Sequence, residues 1–412
     1  MERNYKKRIT LFAGIITEIC IGIGYAWSVF QNPLVEKFGW TTSAVSVAFT
    51  LFIFLGAIAP LVGKLQQYLK TRTIVLIGAF IYGLGLYFTG TINSIPGLYL
   101  TFGVGVGVGT SIVYPLVISY MVKIFPEKRG LISGLMVASY GSGAIVLAPV
   151  GAWLISEYGI LAAFRYLGIA LFILIALISR FIGEFRDDDL AEKESDASGE
   201  QKGFNMKWQD MMKTPIFYFA FLALTIGATS GLMILGHASP IVQSMMDLPA
   251  QKAAFIVGIL AASNAFGRLF WGGVSDKLGR YPLLLFLFTL SILSFVALIT
   301  SGVISVFLAA IIVIELCYGG YISLIAPITA DAFGTKNLGI NYGIMFISFA
   351  IGGVIGPRIA AIIKEVNNGS YREAFIIAMI LCIAGLVFAA IAYSLNKRRN
   401  KVIGKNCEAV SA

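Results

Sequence analysis

The sequence predicts an all-α integral membrane protein in which twelve transmembrane helices form two six-helix halves. Its composition leads to this prediction, because 58% of the 412 residues are hydrophobic and only 13% are charged. Apolar runs of about 20 residues, enough for a helix to cross a hydrocarbon core of ~30 Å, also recur along almost the whole chain. A third feature, a repeat of glycine positions, relates the second half to the first.

The predicted spans divide evenly around a polar segment at residues 184–214. Six apolar runs precede this segment and six follow it, and the segment itself is rich in Asp and Glu, which is typical of a solvated linker. We therefore expect a first half over 1–183, the linker, a second half over 215–395 and a cytoplasmic tail over 396–412. The predicted spans are 9–31, 42–64, 73–94, 97–124, 130–156, 163–183, 215–243, 252–274, 281–300, 303–331, 340–363 and 373–395.

The distribution of Lys and Arg predicts that both termini are cytoplasmic. Most of the 31 basic residues fall in segments on the same side as the termini, and cytoplasmic segments of membrane proteins are enriched in Lys and Arg. We therefore expect a multi-pass protein of the cytoplasmic (inner) membrane, surrounded by the lipid bilayer. This placement explains the net charge of +10 without nucleic acid as a partner. The basic residues on the opposite side are Lys37, Arg165, Lys252, Lys364 and Arg372.

The two halves repeat sequence features at a constant offset of 209 residues. Gly63–Gln67, after the second span, matches Gly272–Asp276, after the eighth span. At the same offset, Gly130–Met136 at the start of the fifth span matches Gly339–Met345 at the start of the eleventh. Two homologous six-helix halves imply a central cavity at their interface, which is a common design of secondary transporters.

Arg268 lies inside the eighth predicted span, where a charge is costly. It precedes Asp276 by eight residues, which corresponds to roughly 12 Å along a helix. A cation at that depth costs at least ~2.5–3.5 kcal/mol and is typical of residues that face a cavity, a partner or a substrate. The planar guanidinium suits a carboxylate, and Asn264 lies one turn away on the same face. We expect Arg268 and Asn264 to bind a small organic anion, with a structural ion pair as the alternative.

Three titratable side chains are candidates for proton coupling. Glu18 lies near the middle of the first span, and Glu315 lies about midway along the tenth. Burial of a carboxyl group disfavours its charged form, which suits proton binding, although a nearby arginine opposes this effect. A permanently protonated packing residue and a partner of Arg268 are the alternatives for these acids. His237, the single histidine, lies near the outer end of the seventh span, where hydrogen bonding in an outer gate is the alternative to proton coupling.

Four tyrosines are candidate walls of the substrate cavity. Tyr25 lies in the first span, Tyr114 in the fourth, and Tyr318 and Tyr321 in the tenth. A phenol supplies an apolar surface together with one donor for a carboxylate. Plain packing is the alternative for each of them.

The sequence shows no pattern of an enzyme or of a bound cofactor. The glycine run 103–109 has no Lys-Ser/Thr ending and lies within a span, so it indicates close helix packing rather than a nucleotide loop. The four cysteines form no CxxC pair, and no paired zinc ligands or nucleophile–base arrangement is found. We expect a protein without catalytic residues, cofactor or metal.

The twelve spans, the linker and the repeat together resemble the major facilitator superfamily. The stretch Gly272-Gly-Val-Ser-Asp276-Lys-Leu-Gly279-Arg280 is similar to the signature Gly-x-x-x-Asp-Arg-x-Gly-Arg of that superfamily. The resemblance implies that these residues take part in cytoplasmic gating. In the first copy Gln67 replaces the acid, so gating is expected to depend on Asp276.

A narrower resemblance is to the oxalate/formate antiporter family. The similar stretches are Tyr25–Phe30, Gly231–His237, Asn264–Arg268 and 125–135. This resemblance implies a small carboxylate as substrate and the arginine of the eighth span, Arg268, as the residue that binds it. It also implies either proton symport or anion exchange, and activity as a monomer is expected.

The eleventh span departs from the pattern of oxalate exchangers in that family. Those exchangers pair the arginine with a lysine in this span, whereas the middle of the span here is Phe346-Ile-Ser-Phe349. Arg358 lies later in the span and is expected to reach the outer surface. One central cation matches one carboxylate, so a monocarboxylate such as formate, lactate or pyruvate is favoured. A dicarboxylate exchanger, a carrier of drugs or sugars and a membrane sensor are the alternatives.

Overall fold

The computed structural model describes residues 2–66, 68–183, 205–246, 250–367 and 370–411, and the regular secondary structure in these ranges is helical. The α helices are α1 (Glu2–Ile21), α2 (Trp27–Phe38), α3 (Thr42–Phe54), α4 (Ala59–Leu65), α5 (Thr71–Thr89), α6 (Ile95–Leu98), α7 (Gly107–Ile124), α8 (Arg129–Tyr158), α9 (Ile160–Ile178), α10 (Trp208–Met211), α11 (Pro215–Gly236), α12 (Ala238–Met246), α13 (Ala250–Leu278), α14 (Arg280–Thr300), α15 (Ile304–Phe333), α16 (Leu338–Val366) and α17 (Arg372–Ser411). Short 3₁₀ segments continue several of them, and a π-helical segment, Tyr99–Val106, joins α6 to α7.

The helices account for the predicted transmembrane segments. In the part of the chain that the structure describes, eleven helical segments are long and apolar enough to cross a membrane. The predicted eighth span is not among the eleven, although α13 occupies its place and has 29 residues. That helix is long enough to span a bilayer.

The described residues form two compact units. The first unit comprises those within Met1–Pro126, Leu135–Glu192 and Leu338–Ile347, and the second comprises those within Glu127–Gly134, Lys193–Asn337 and Ser348–Ala412. The first turns of α8 and of α16 each belong to a different unit from the rest of their helix. Both helices begin with the repeated Gly-x-x-x-Gly sequence, and in each of them this sequence belongs to a different unit from the rest of the helix.

Close helix packing explains the glycine run of the fourth span. A Cβ on Gly105 would lie 3.0 Å from the Cα of Gly85 in α5, and a Cβ on Gly109 would lie 2.5 Å from the backbone nitrogen of Tyr82. Both distances are shorter than ordinary van der Waals contact, so larger residues would separate these helices. The packing prediction is confirmed, whereas the π-helical geometry of this segment was not predicted.

The sequence repeat corresponds to a repeated contact in each unit. In the first unit, Gly63 of α4 packs directly against the backbone of Gly339 in α16. In the second unit, Gly272 of α13 packs against the backbone of Gly130 in α8. Because Gly63 corresponds to Gly272 and Gly339 to Gly130, the same pair of repeat positions makes both contacts.

The predicted linker and tail differ from expectation in part. Residues 184–204, and with them the acidic run, lie outside the described residues. The backbone N–H of Met206 donates to the carbonyl of Phe333 at 2.9 Å, and Met211 is buried. The end of the predicted linker is therefore attached to the C-terminal end of α15 rather than solvated along its whole length. The predicted tail is helical as far as Ser411, because α17 continues past residue 395.

Candidate functional site

The polar core of the second unit lies where α13 crosses α15. Glycine lets the two backbones touch: a Cβ on Gly319 would lie 2.7 Å from the backbone nitrogen of Arg268, and a Cβ on Gly267 would lie 2.9 Å from the carbonyl carbon of Leu316. Close contact of this kind is typical of small residues at membrane helix interfaces. It brings Glu315 beside the face of α13 that carries Arg268.

Arg268, Asn264 and Glu315 form a buried polar cluster at this crossing. Their exposed fractions are 2%, 3% and 0%. The Asn264 Nδ2 donates to the Glu315 backbone carbonyl at 3.3 Å and to Glu315 Oε2 at 3.4 Å. The positive charge of Arg268 also acts on the Glu315 carboxyl group through space. Glu315, one of the predicted proton-coupling acids, therefore belongs to the same cluster as the predicted anion-binding residues Arg268 and Asn264.

The two predicted tyrosines of α15 make packing contacts within the second unit. The Tyr321 ring lies 4.8 Å from that of Phe288, and its hydroxyl is hydrogen-bonded with Ser291 at 3.0 Å. The Tyr318 ring covers Gly231 of α11. These contacts favour a packing role for Tyr321, because both its ring and its hydroxyl are occupied by α14.

The other two predicted tyrosines belong to an aromatic cluster in the first unit. The ring centroids of Tyr25 and Tyr140 are 5.4 Å apart, and those of Tyr140 and Tyr114 are 4.6 Å apart. The Tyr114 ring is 5.3 Å from Phe346, which is 5.8 Å from Tyr342. Tyr140 and Tyr342 were not predicted, although the i, i+4 spacing of Tyr342 and Phe346 places them on one helix face.

Glu18 is buried in the first unit on the face of α1 that contacts α7 and α8. Gly14 and Gly22 lie one turn away on either side, and Cβ atoms there would lie 3.2 Å from Met136 Sδ and 2.9 Å from the Gly143 Cα. Glu18 itself is 0% exposed, and neither carboxyl oxygen has a hydrogen-bond partner among the described residues. This acid is therefore in a different environment from Glu315, which receives a hydrogen bond and the field of an arginine.

His237 connects three helices at the end of α11. Its Nδ1 is 3.1 Å from the Tyr371 hydroxyl, and its Nε2 is 3.0 Å from the Pro357 carbonyl. Since a carbonyl only accepts, Nε2 is the donor and the neutral ring accepts from Tyr371 through Nδ1. Burial lowers the pKa of His237 and nearby Lys364 lowers it further, although the bond to Pro357 opposes this shift. These contacts correspond to the predicted hydrogen-bonding alternative for this residue.

The signature sequence caps the first turn of α8, which belongs to the second unit. The Asp276 carboxylate accepts the backbone N–H groups of Gly130 and Leu131, both at 2.9 Å, at the start of α8. Arg280 Nη1 donates to the same carboxylate at 2.6 Å. A carboxylate at a helix N-terminus satisfies free N–H groups and the helix dipole. Gly279, with φ +85°, provides the left-handed residue between α13 and α14.

Asp331 extends this charged network and was not predicted. It accepts from Arg129 Nη1 and from Arg280 Nε, both at 2.8 Å. Asp331 lies at the end of α15, far in sequence from both arginines, so no local signal indicated it. Gln67, which corresponds to Asp276 in the first copy of the repeat, lies outside the described residues.

Comparison with known proteins agrees with this architecture. The chain matches the family described as Major Facilitator Superfamily over residues 11–357 and 265–409. It is 30% identical to the oxalate:formate antiporter of Oxalobacter formigenes, over 87% of this chain and 84% of that protein. It is 25% identical to human monocarboxylate transporter 10, over 90% of this chain and 73% of that protein. The solved proton:xylose symporter XylE has the same fold, with a TM-score of 0.72 at 12% identity, over 95% of this chain and 96% of that one.

Proposed function

The chain belongs to the major facilitator superfamily and is a membrane transporter rather than an enzyme, and from this premise we propose that it carries a small monocarboxylate. The observation that supports this substrate class is the burial of Arg268 beside Asn264 in the middle of α13. A guanidinium remains charged at all physiological pH values and presents paired donors to a carboxylate. Formate, lactate and pyruvate are the candidate substrates.

Similar proteins support a carboxylate as the substrate, and the distribution of charge supports a substrate with a single carboxylate group. The relatives reported above are named for transport of oxalate and formate and of monocarboxylates. Along α16, the cations are Arg358, which is exposed, and Lys364 in the last turn. Arg268 is therefore the arginine that the buried core offers to an anion, and one cation balances one carboxylate.

In the proposed cycle Arg268 binds the carboxylate and Asn264 orients it. The site is exposed to one side of the membrane at a time, by alternating access. Glu315 competes with the substrate for the field of Arg268, because both are carboxylates. Neutralising Glu315 or displacing it toward Asn264 would therefore favour the bound anion. Both proton symport and exchange with an internal anion are compatible with these steps.

We also propose a location and an orientation for the protein. We place it in the cytoplasmic membrane with both termini inside, in accordance with the distribution of Lys and Arg. Activity as a monomer is part of the same proposal.

Uptake of labelled lactate into proteoliposomes tests this function. We expect competition by formate and pyruvate, and a reduction of roughly 10- to 100-fold in Arg268→Ala, since a lost bond to a charged group is worth about 1.5–3 kcal/mol. Arg358→Ala, which removes an exposed arginine, is the matched control and should retain uptake. An Arg268→Ala protein that inserts normally and transports at the wild-type rate would refute the assignment. Competition by oxalate alone would favour a dicarboxylate exchanger.

A further inference from the structure

The last membrane helix, α17, carries an apolar stripe that ends in a serine and an arginine. Ile380, Ile383 and Val387 are exposed large apolar residues of this helix. Ser394 and Arg398 are exposed as well, and they continue the same helix face, since the successive intervals are three, four, seven and four residues. This face of α17 is therefore open to the surroundings of the helix rather than packed against the rest of the second unit.

An open cavity of about 370 Å³ lies on the C-terminal half of this face, and we call it the α17 groove. The α17 groove is lined by Val387, Ala390, Ile391, Ser394, Leu395 and Arg398. Arg398 follows Val387 by eleven residues, which is roughly 16 Å along a helix, or about half of a hydrocarbon core of ~30 Å. Since the candidate membrane span of α17 ends at Asn400, the groove extends over about the depth of one leaflet, with Arg398 at the level of the headgroups.

Arg398 differs in its environment from the next residue, Arg399. Arg399 is half-buried, donates to the Asn396 side chain at 2.7 Å and interacts electrostatically with Tyr281 of α14. Arg398 lies on another side of the helix, and in the part of the chain that the structure describes no side-chain hydrogen bond or ion pair engages its guanidinium. The charge of Arg398 is therefore available to an anion at the end of the α17 groove.

The chemistry of the α17 groove matches an anionic phospholipid. A guanidinium presents a planar set of donors to phosphate oxygens, and the Ser394 hydroxyl, one turn before Arg398, adds another donor. Basic residues next to a membrane helix also attract anionic lipids. An acidic peptide or a free phosphate would satisfy Arg398 but would leave the apolar walls at Val387 and Ile391 without a partner, whereas an acyl chain covers them.

We propose that the α17 groove binds one anionic phospholipid, with the phosphate group on Arg398 and Ser394 and an acyl chain along Ile391 and Val387. The inference does not depend on which solute the protein carries, because α17 contributes none of the residues to which we assign substrate binding. Lys397 provides a built-in comparison. It is exposed and carries the same charge as Arg398 one residue away, but it does not line the groove.

Native mass spectrometry of the full chain in detergent tests this inference, with phosphatidylglycerol and phosphatidylcholine of the same acyl chains as probes. We expect one tightly bound phosphatidylglycerol per chain, with at least fivefold preference over phosphatidylcholine. Arg398→Ala should weaken phosphatidylglycerol binding about tenfold, because it removes charge-assisted hydrogen bonds to the phosphate. Lys397→Ala should stay within about twofold of wild type, and Arg398→Lys, which keeps the charge, should recover part of the binding.

A second pair of variants tests the apolar walls of the groove. Val387→Trp fills the groove and should weaken phosphatidylglycerol binding at least fivefold, whereas Ile380→Trp, on the same face but outside the groove, should not. Equal losses in Arg398→Ala and Lys397→Ala would show diffuse attraction to basic residues and would overturn the inference. Equal binding of the two lipids by the wild type, equal binding by the two tryptophan variants, or displacement of the lipid by inorganic phosphate would overturn it as well.

Discussion

The contact between α13 and α15 gives a prediction whose size follows from the structure. A methyl group added at Gly267 would lie 2.9 Å from both the Cα and the carbonyl carbon of Leu316. Carbon atoms in good contact are about 3.5–4.0 Å apart, so the helices must separate by about 0.6 Å or more at this point. Glu315 is the neighbour of Leu316, and Asn264 lies about one turn from Gly267, so the separation acts directly on their hydrogen bond.

The Asn264–Glu315 hydrogen bond has little tolerance for such a separation. The donor–acceptor distances are already 3.3 and 3.4 Å, and an increase of about 0.6 Å would take both beyond hydrogen-bonding range. A buried donor or acceptor that loses its hydrogen-bond partner costs about 1–3 kcal/mol. We therefore expect Gly267→Ala to lower lactate transport by tenfold or more, and overpacking to lower stability by about 1–3 kcal/mol.

The same helix provides the control for this prediction. Gly258 also lies in α13, but a Cβ there meets no atom within 4 Å. Gly258→Ala should therefore keep transport and stability, since alanine is the better helix former. Lactate counterflow is measured at equal amounts of inserted protein, and melting temperatures are measured in detergent. Equal transport by the two variants would refute the reasoning that the glycine contact holds the site together.

Two further predictions concern groups outside the buried cluster. Asp276→Asn weakens the cap of α8 and the ion pair with Arg280, so we expect the free energy of unfolding to fall by about 1–2 kcal/mol. Asp210→Asn, which changes an acid in an exposed ion pair, should alter stability little. Equal melting temperatures for the two variants would contradict the capping role. Because burial lowers the pKa of His237, the unfolded chain takes up its proton at a higher pH than the folded protein. Stability should then fall as the pH drops below about 6.5, and His237→Gln should reduce that loss; an unchanged pH dependence of the melting temperature would contradict the assignment.

The sequence alone predicts which residues are costly to bury, but not which residues they contact. The depth of Arg268 in an apolar run was enough to predict its burial, because few arginines occupy such positions without a role. The contact of Asn264 with Glu315 joins residues 51 positions apart and depends on the glycines that bring α13 and α15 together. The bridge of Asp331 to Arg129 likewise depends on tertiary structure. These contacts arise from helix crossing, which periodicity within one helix does not specify.

Packing also distinguishes predicted residues that the sequence alone does not. Tyr114 and Tyr321 are equivalent in sequence terms, since each is a tyrosine within an apolar span. In the structure, Tyr114 joins a cluster with the half-exposed Tyr25, whereas the Tyr321 hydroxyl is bonded to Ser291. The difference is set by neighbouring helices, so a sequence shows which tyrosines are candidates without showing what each of them contacts.

The α13 helix links Arg268 and Asn264, for which we propose anion binding, to the signature sequence through the first turns of α8. A Cβ on Gly134 would lie 3.0 Å from the carbonyl carbon of Arg268, and two turns later Asp276 accepts the N–H groups of Gly130 and Leu131. The start of α8 therefore lies along α13 from the arginine to the signature acid. A shift of the whole start of α8 away from α13 would break the Asp276 cap and withdraw Gly134 from the backbone of Arg268 together. In the transport cycle that we propose, the fixed helical distance between the arginine and the acid would couple gating to anion binding.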